Sequence, residues 1–414
     1  MWYILIGEFI NDLLKQKLRS FLTLLAICWG TLSVVLLLAF GTGVAVKNME
    51  GMLGGGSRVM IIYGGQTSEA FQGLPSGRPI RFVEEDIALI RQRVSNIQYI
   101  SPQYGRGGVT LQTKDHTTTT YMEGIGIGFD EMRSMFYDTG NRFINQRDID
   151  EQRRVVFLGN DIAGRLFPDS DPVGQNVLID NVSFTVIGVM REKMQTSMNF
   201  GPDANRAIIP YTTFRNLYGH RFLSSILIRP EFAEFQEQMK RELYTTLGNR
   251  YQFSPDDEQA IAIWDFLEFE RMNRQVNTGL KIFLFSIGFF TLMIAGVGVA
   301  NIMYVVVKER TREIGVKKAL GARKNHIIIQ FIFESLFICL FGGLIGILIS
   351  LGVVTGVLAL NLQGGAAEFL GHPVLSSEIM IITVLILTVI GLLAGVFPAL
   401  KAAKVNPVES LRYE

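Results

Sequence analysis

The sequence predicts a membrane protein with four transmembrane α-helices and a large mixed α/β extracytoplasmic domain inserted between spans 1 and 2. Of its 414 residues only 19% are charged, 48% are hydrophobic and 42 are glycines, a balance that points to membrane spans. Four long runs carry almost no charge, and about 20 apolar residues suffice to cross a bilayer as a helix. A long segment of mixed strand-like and helical patterns, residues 47–278, separates the first run from the second.

The four apolar runs locate the spans. They cover residues 21–44, 282–307, 327–367 and 379–400, and the third contains Glu334 as its only charged residue. The third run is longer than one crossing requires, so we expect its last part to form a loop or a short interfacial element. The first run exceeds the roughly 7–15 apolar residues of a signal peptide, so we expect a retained span.

The distribution of basic residues orients the chain. Lys and Arg cluster at 15–19, 308–324 and 401–412, whereas the loop 361–378 has none. Because basic residues mark the cytosolic side of a membrane protein, both termini are predicted to be cytosolic and the segment between spans 1 and 2 to lie outside. The net charge is only +1 and no basic arm is present, so no nucleic-acid partner is expected.

These assignments divide the chain into nine parts. The first part places apolar side chains on one helical face, which is typical of a helix on the membrane surface or of one packed on other helices, and both alternatives stay open. The parts are a cytosolic amphipathic helix at 1–19, spans at 20–46, 279–307, 326–360 and 379–400, the extracytoplasmic domain at 47–278, a cytosolic helix at 308–325, an extracytoplasmic loop at 361–378 and a cytosolic tail at 401–414.

The segment 47–278 has enough residues to form a core of its own. Turn-forming stretches such as PDSDPVG separate its strand and helix patterns, and we expect two subdomains. The strand patterns lie at 58–63, 108–113, 118–125, 154–159 and 183–190, and the helical patterns at 83–94 and 231–247.

No motif predicts catalysis. The nearest approach to a phosphate-binding P-loop, GNDIAGRL at 159–166, lacks the required Lys and the Ser or Thr after it. The GIGIGF stretch at 124–129 fails the dinucleotide-binding pattern at its last position. Cys28 and Cys339 lie inside apolar runs, where small buried residues are more common than a disulfide or a metal pair. We therefore expect no catalytic residue, no metal site and no cofactor bound by this chain.

Two features of the spans concern charge and packing. Glu334 lies near the cytosolic end of its span, where a carboxylate reaches water or a basic partner, so we favour an anchoring role over a proton-coupled one. Small residues also recur four positions apart, a spacing that lets membrane helices approach closely. They are Gly296 and Ala300 in span 2, Gly342, Gly346, Ser350, Gly352 and Gly356 in span 3, and Gly391 and Gly395 in span 4.

The stretch VVVKERTREIGVKKALGARKNHIII, residues 305–329, places a short basic helix between two apolar runs. It has an ion pair at i, i+4 spacing, an apolar face, and glycines suited to a bend and to a C-terminal stop. A helix held between two spans can transmit force from a partner that grips its apolar face, and the alternative is a basic loop that happens to be helical. Glu313 and Lys317 form the ion pair, and Val316, Ala319 and Leu320 form the apolar face. Gly315 suits the bend and Gly321 suits the C-terminal stop.

The stretch NIMYVVVKERTREIGVKKALGARKNHIIIQFIFE at 301–334 resembles the signature of the MacB/FtsX-like permeases of ABC transporters. The resemblance extends to the first span at 17–44, to RRVVFLGNDIAGRLFPDSDPVGQNVLIDNVSFTVIGVM at 153–190, which is similar to the extracytoplasmic core domain of that family, and to the closing segment at 397–414. It implies a protein of the bacterial inner membrane whose helix at 308–325 is a coupling helix that docks on a separate ATPase.

The resemblance also implies function and partners. Such a permease transmits ATP binding and hydrolysis by the ATPase, which holds the ATP and Mg²⁺, to its extracytoplasmic domain and drives export of drugs, peptides or lipid-like cargo. The alternatives are a mechanotransmitting regulator of an extracytoplasmic enzyme and a permease that extracts lipids or lipoproteins. The implied partners are the ATPase, a second permease copy, a periplasmic adaptor and membrane lipids. The ATPase is expected to contact Glu309, Arg310, Arg312, Glu313, Gly315, Lys317, Lys318, Leu320 and Gly321.

Overall fold

The structure is a computed structural model that describes residues 17–195, 201–360 and 372–405. The predicted amphipathic helix, the predicted loop between spans 3 and 4 and the predicted tail lie for the most part outside the described residues. The described residues form two compact units. We call residues 48–274 the sheet unit, and the remaining described residues on either side the span unit.

Eleven α-helices and nine β-strands are found in the described residues. The helices are α1 (Lys17–Leu53), α2 (Glu85–Arg93), α3 (Phe129–Met132), α4 (Gln146–Asp150), α5 (Asn160–Leu166), α6 (Tyr211–Tyr218), α7 (Gln236–Tyr251), α8 (Phe266–Glu309), α9 (Thr311–Ala319), α10 (Lys324–Ala359) and α11 (Ser377–Ala403). The strands are β1 (Met60–Gly64), β2 (Ile97–Gln112), β3 (Thr117–Ile125), β4 (Val155–Leu158), β5 (Asn176–Ile179), β6 (Val182–Val189), β7 (Arg206–Pro210), β8 (Ser225–Pro230) and β9 (Ile261–Asp265).

Four of these helices, α1, α8, α10 and α11, have the length and apolar composition to cross a membrane. This confirms the predicted fold class of four spans with a mixed α/β domain between the first two. Helices α1 and α8 are longer than the spans predicted for them, because α1 continues to Leu53 and α8 already begins at Phe266.

Small residues set the contacts between the span helices. A Cβ added at Gly346 of α10 would stand 2.7 Å from the carbonyl oxygen of Cys28 in α1, and one added at Gly391 of α11 would stand 3.2 Å from the Cα of Leu336 in α10. At such positions only glycine lets the helices come this close. A neighbouring span helix faces each of Gly296, Gly342, Gly346, Gly391 and Gly395, and Ala300 packs against the apolar core of the span unit. At Gly352 and Gly356 no described atom lies within 4 Å of an added Cβ.

One sheet runs through the sheet unit, in the order β3-β7-β4-β6-β5-β2-β8-β1-β9. Strand β2 also pairs with β3, so six strands, β2-β3-β7-β4-β6-β5, form a closed circuit of pairings. The pairs β3–β7 and β4–β6 are parallel and the other pairs are antiparallel. Because all described strands share this sheet, a division into two subdomains would have to run through it.

The sheet carries an apolar core on each face. Met60 and Ile62 of β1 belong to one cluster and Ile61 to the other, because successive strand residues point to opposite faces. Helices α2, α5, α6 and α7 contribute buried side chains to the first cluster, and α3 and α4 contribute to the second. Strands β1 and β9, which adjoin the two long helices along the chain, lie next to each other at one end of the sheet order.

Candidate functional site

The chain turns on each side of α9, which places this short helix between the long helices α8 and α10. Arg310, between α8 and α9, leaves the helical region with φ −92° and ψ 13°. At the other end Gly321 has φ +93°, in the left-handed region that favours glycine, and the N–H of Ala322 donates to the carbonyl of Lys317 at 2.9 Å. This is a common helix C-terminal arrangement, so Gly321 ends the helix.

One side of α9 is fixed to the span unit. Ile314 is 3% exposed and belongs to the core of that unit. The Lys318 Nζ donates hydrogen bonds to the carbonyls of Ala403, at 3.0 Å, and Val405, at 2.6 Å, at the C-terminal end of α11. Backbone carbonyls at this end lack helical partners and carry partial negative charge, so a lysine satisfies them well. Lys318 therefore ties α9 to the last span helix.

A buried ion pair ties the beginning of α9 to α10. The Arg310 Nη1 lies 3.2 Å and 3.3 Å from the two carboxylate oxygens of Glu334, whose side chain is 7% exposed. Gln330, one turn earlier on α10, also donates to Glu334, at 3.1 Å. Of the two alternatives that the sequence left open for Glu334, water or a basic partner, the structure places a basic partner, Arg310, beside it. Gln330 was not predicted, although its i, i+4 spacing from Glu334 was a usable signal.

The opposite side of α9 is open. Leu320 is 84% exposed and Val316 42%, and Glu313 pairs with Lys317 along the helix at 2.8 Å. An apolar residue this exposed, on a helix fixed from behind, is the kind of surface that a groove on a partner binds. We call this surface the open face of α9; its exposed members are Arg312, Glu313, Val316, Ala319 and Leu320.

The structure separates the predicted contact residues into two groups. Arg312, Glu313 and Leu320 lie together on the open face, and Glu309 is exposed at the end of α8. Arg310 and Lys318 instead contact the span helices α10 and α11, and Gly315 is buried. The sequence also gave no hint of a contact of Lys401, at the end of α11, whose Nζ lies 5.4 Å from the ring centroid of Tyr304 in α8.

The stretches rejected as nucleotide-binding motifs have other roles. GNDIAGRL at 159–166 forms Gly159 and helix α5, with Ile162 and Leu166 buried in the first core cluster. In GIGIGF, Gly128 has φ +78° and begins the short helix α3. Among the described residues, no group of three or more His, Cys, Asp or Glu is placed to hold a metal ion.

The sheet unit contains a buried charge cluster that the sequence did not reveal. Asp203 accepts hydrogen bonds from Arg133 at 2.9 Å and Lys193 at 2.8 Å, and the Arg206 Nε lies 3.5 Å away. Arg206 also pairs with Glu123. All five side chains are at most 9% exposed. Because they come from distant positions, no local pattern signalled the cluster.

Burial and charge act in opposite directions in this cluster. Burial alone would raise the pKa of Asp203, but the surrounding cations outweigh it and hold that pKa well below its usual range. Burial raises the pKa of Glu123 and lowers the pKa of Lys193 despite their partners. The three cations thus surround Asp203, which lies on the connection between β6 and β7, and favour its charged form.

Comparisons with known proteins identify both regions of the chain. Residues 20–243 match the family model of the MacB-like periplasmic core domain, and residues 285–407 match the FtsX-like permease C-terminal model. The macrolide export ATP-binding/permease protein MacB of Bdellovibrio bacteriovorus is 31% identical over 408 residues, which are 98% of this chain and 61% of that protein. The protein of the same name from Chlorobaculum tepidum is 33% identical over 406 residues, which are 98% and 60%.

The chain thus spans about 60% of the length of these curated relatives. A solved structure, the periplasmic region of MacB from Actinobacillus actinomycetemcomitans, aligns with 54% of this chain and 95% of its own, with 20% identity and a TM-score of 0.41.

The four apolar helices and the match to a permease family model together indicate a multi-pass protein of the bacterial inner membrane. More specifically, the chain belongs to the MacB family of ABC transporter permeases, which combines a MacB-like periplasmic core domain with an FtsX-like permease domain. The resemblance identified from the sequence is confirmed.

Proposed function

We propose that this chain is the transmembrane subunit of an ABC export system and that it relays ATP binding and hydrolysis by a separate ATPase subunit to its extracytoplasmic domain. The ATPase holds the ATP and Mg²⁺, and this chain contributes no cofactor. Two permease copies work together, the termini and α9 lie in the cytosol, and a periplasmic adaptor receives the cargo. The basic residues around α9 support this orientation.

The observation that supports the relay most directly is the two-sided character of α9. Its open face presents Leu320, and its other side is bonded to α10 through Arg310 and to α11 through Lys318. A partner that moves α9 also moves the ends of α10 and α11, because side-chain bonds join these helices to α9 in addition to the backbone connection. Packed interfaces respond to such a displacement as rigid bodies rather than by continuous deformation.

The cargo is proposed from the relatives. The curated proteins that match nearly the whole chain are named for macrolide export, so a macrolide is the first cargo to test. A regulator of an extracytoplasmic enzyme and a permease that extracts lipids or lipoproteins use the same relay with a different output. Co-purification of a periplasmic hydrolase instead of an adaptor would favour the regulator.

The proposal is tested by changing the open face alone. Leu320→Asp places a charge where an apolar contact is proposed, and Asn325→Asp places the same charge five positions further along, at the exposed start of α10. Both variants should insert in the membrane in equal amounts, because neither position is buried. We expect only the Leu320 variant to lose the ABC ATPase that co-purifies with the wild-type chain from cross-linked native membranes. Equal ATPase recovery from both variants would place the contact elsewhere.

A further inference from the structure

We propose that Asp265 is a positioning residue that joins helix α8 to the sheet unit and passes the movement of this helix to the extracytoplasmic domain. The inference rests on the proposed function, because it concerns how a movement that begins at α9 is used outside the membrane. Asp265 is, in this proposal, the joint at which a helix that crosses the membrane is bonded to the folded domain.

Asp265 sits at the point where strand becomes helix. It is the last residue of β9, and α8 begins at the next residue and runs to Glu309. Its Oδ1 accepts hydrogen bonds from the N–H groups of Leu267, at 2.9 Å, and Glu268, at 3.2 Å. This is the geometry of a helix N-cap, and the negative charge also suits the positive end of the helix dipole.

The same carboxylate is bonded to a different helix of the sheet unit. Its Oδ2 lies 2.5 Å from the Nζ of Lys240, and its Oδ1 accepts a hydrogen bond from Gln236, both on α7. The Asp265 side chain is 3% exposed and that of Lys240 19%. Burial lowers the pKa of Lys240, but the hydrogen bond and charge of Asp265 outweigh this effect and raise it, so Lys240 keeps its positive charge.

Asp265 is bonded to two elements of the sheet unit, α7 and β1, that are both part of its folded core. Met239 and Leu243 of α7 are fully buried in the first core cluster, so Lys240 projects from a fixed helix. Asp265 pairs with Met60 in the strand register, and the N–H of Phe266 donates to the carbonyl of Val59 at 3.0 Å. A pull on the first turn of α8 therefore reaches α7 through an ion pair and β1 through the strand ladder.

A helix cap does not by itself require a charge, since Asn caps as well as Asp. The charge is needed for Lys240. Asp265→Asn keeps the size and the capping oxygen but removes the ion pair, and Lys240→Gln removes it from the other side. Lys240→Arg keeps the charge. The matched control is Glu270→Gln, which breaks a pair with Arg274 at 2.6 Å between two residues of α8.

The test uses the full chain with its ATPase in lipid nanodiscs and follows amide hydrogen exchange with and without ATP. In the wild type, ATP should change exchange in both the span unit and the sheet unit. In the Asp265→Asn and Lys240→Gln variants the response should persist in the span unit and be lost in the sheet unit, whereas Lys240→Arg and Glu270→Gln should respond like the wild type. A purely structural role would not separate the two responses. Transmission to the sheet unit in Asp265→Asn and Lys240→Gln, or a wild-type sheet unit that ignores ATP, would overturn the proposal.

A second measurement separates this inference from the proposed function. If no ATPase associates, or if ATP does not change hydrogen exchange in the wild-type span unit, the proposed function fails. The role of Asp265 is then tested by hydrogen exchange of the chain without an ATPase. Asp265→Asn should then raise exchange roughly 5- to 30-fold at both 236–251 and 266–272, because both helices lose the same ionic bond. Unchanged exchange at 236–251 would show that Asp265 does not join the two helices.

Discussion

Substitutions of Arg310 and Glu334 should have strongly non-additive effects on the free energy of unfolding, because the two side chains form one ion pair. Glu334→Leu removes the carboxylate that Arg310 contacts at 3.2 Å, at a site where the two side chains are 14% and 7% exposed. Breaking a buried pair by removing one partner costs about 3–5 kcal/mol, and because Arg310 keeps some contact with solvent we expect about 3 kcal/mol. Arg310→Leu should cost a similar amount, since it leaves the Glu334 charge buried. The double replacement should stay within about 1 kcal/mol of the wild type, because neither charge then needs to be desolvated.

The measurement is a double-mutant cycle on the full chain, with the free energy of unfolding obtained by titrating detergent-solubilised protein with dodecyl sulfate. The single costs sum to about 6 kcal/mol, so a nearly neutral double variant corresponds to a coupling of several kcal/mol. Single costs that add to within about 0.5 kcal/mol would refute the reasoning, since independent sites add in this way. The pair would then not anchor α9 to α10.

Three further predictions concern other parts of the chain. Gly346→Ala places a methyl group 2.7 Å from a carbonyl oxygen of α1 and should lower the free energy of unfolding by about 1–3 kcal/mol. Gly352→Ala, with no described atom within 4 Å of the added methyl group, should be neutral or stabilising. Equal effects of the two substitutions would contradict the packing account. Asp203→Asn should lower the free energy of unfolding by about 3–5 kcal/mol and should weaken its dependence on acid pH. The depressed pKa of Asp203 stabilises the fold above the pKa of the unfolded chain, about 4, and this contribution falls as the pH drops below that value. Thermal unfolding at a series of pH values measures this difference, and the same acid dependence in both proteins would disprove the assignment. Lys318→Met removes two charge-assisted hydrogen bonds and should speed hydrogen exchange at the end of α11, and unchanged exchange there would show that Lys318 does not hold this end.

The span helices could be predicted because their signal is local. A helix that crosses a bilayer needs about 20 apolar residues in sequence, and the runs that meet this condition are the helices seen. Which face of a span meets a neighbour is not local information. Gly346 and Gly352 lie in similar small-residue patterns, yet only Gly346 packs against another described helix, because helix–helix contact depends on the whole bundle.

The sheet was predicted only in part. Strand β2 runs over Ile97–Gln112, but only its last residues were predicted, since Ser101, Pro102 and Gln103 look like a turn. Within the fold Gln103 donates to Glu123 at 3.0 Å and accepts a hydrogen bond from Ser225, and such pairing between distant residues makes polar side chains acceptable inside a sheet. Four short strands, β5, β7, β8 and β9, were not among the strand patterns named, whereas the equally short β1 and β4 were, so runs of four to six residues give an unreliable signal.

The site was predictable in composition but not in geometry. The basic helix, its apolar residues and a position of Glu334 within reach of water or a basic partner all followed from the sequence. That Arg310 and Lys318 face inward while Leu320 stays open depends on the turn at Arg310 and on where α11 ends, which are tertiary facts. The role of Asp265 was not visible either, because its ionic partner is on a different helix.

The central claim is that an ATPase binds the open face of α9. The most direct test places a photo-cross-linking amino acid at position 320 in native membranes, irradiates, and identifies the attached protein by mass spectrometry. The account predicts an ABC ATPase attached at this position and none attached from Ile329, which is 58% exposed on α10 but lies off the open face. Attachment of a protein other than an ATPase at position 320, or of lipid alone, would contradict it.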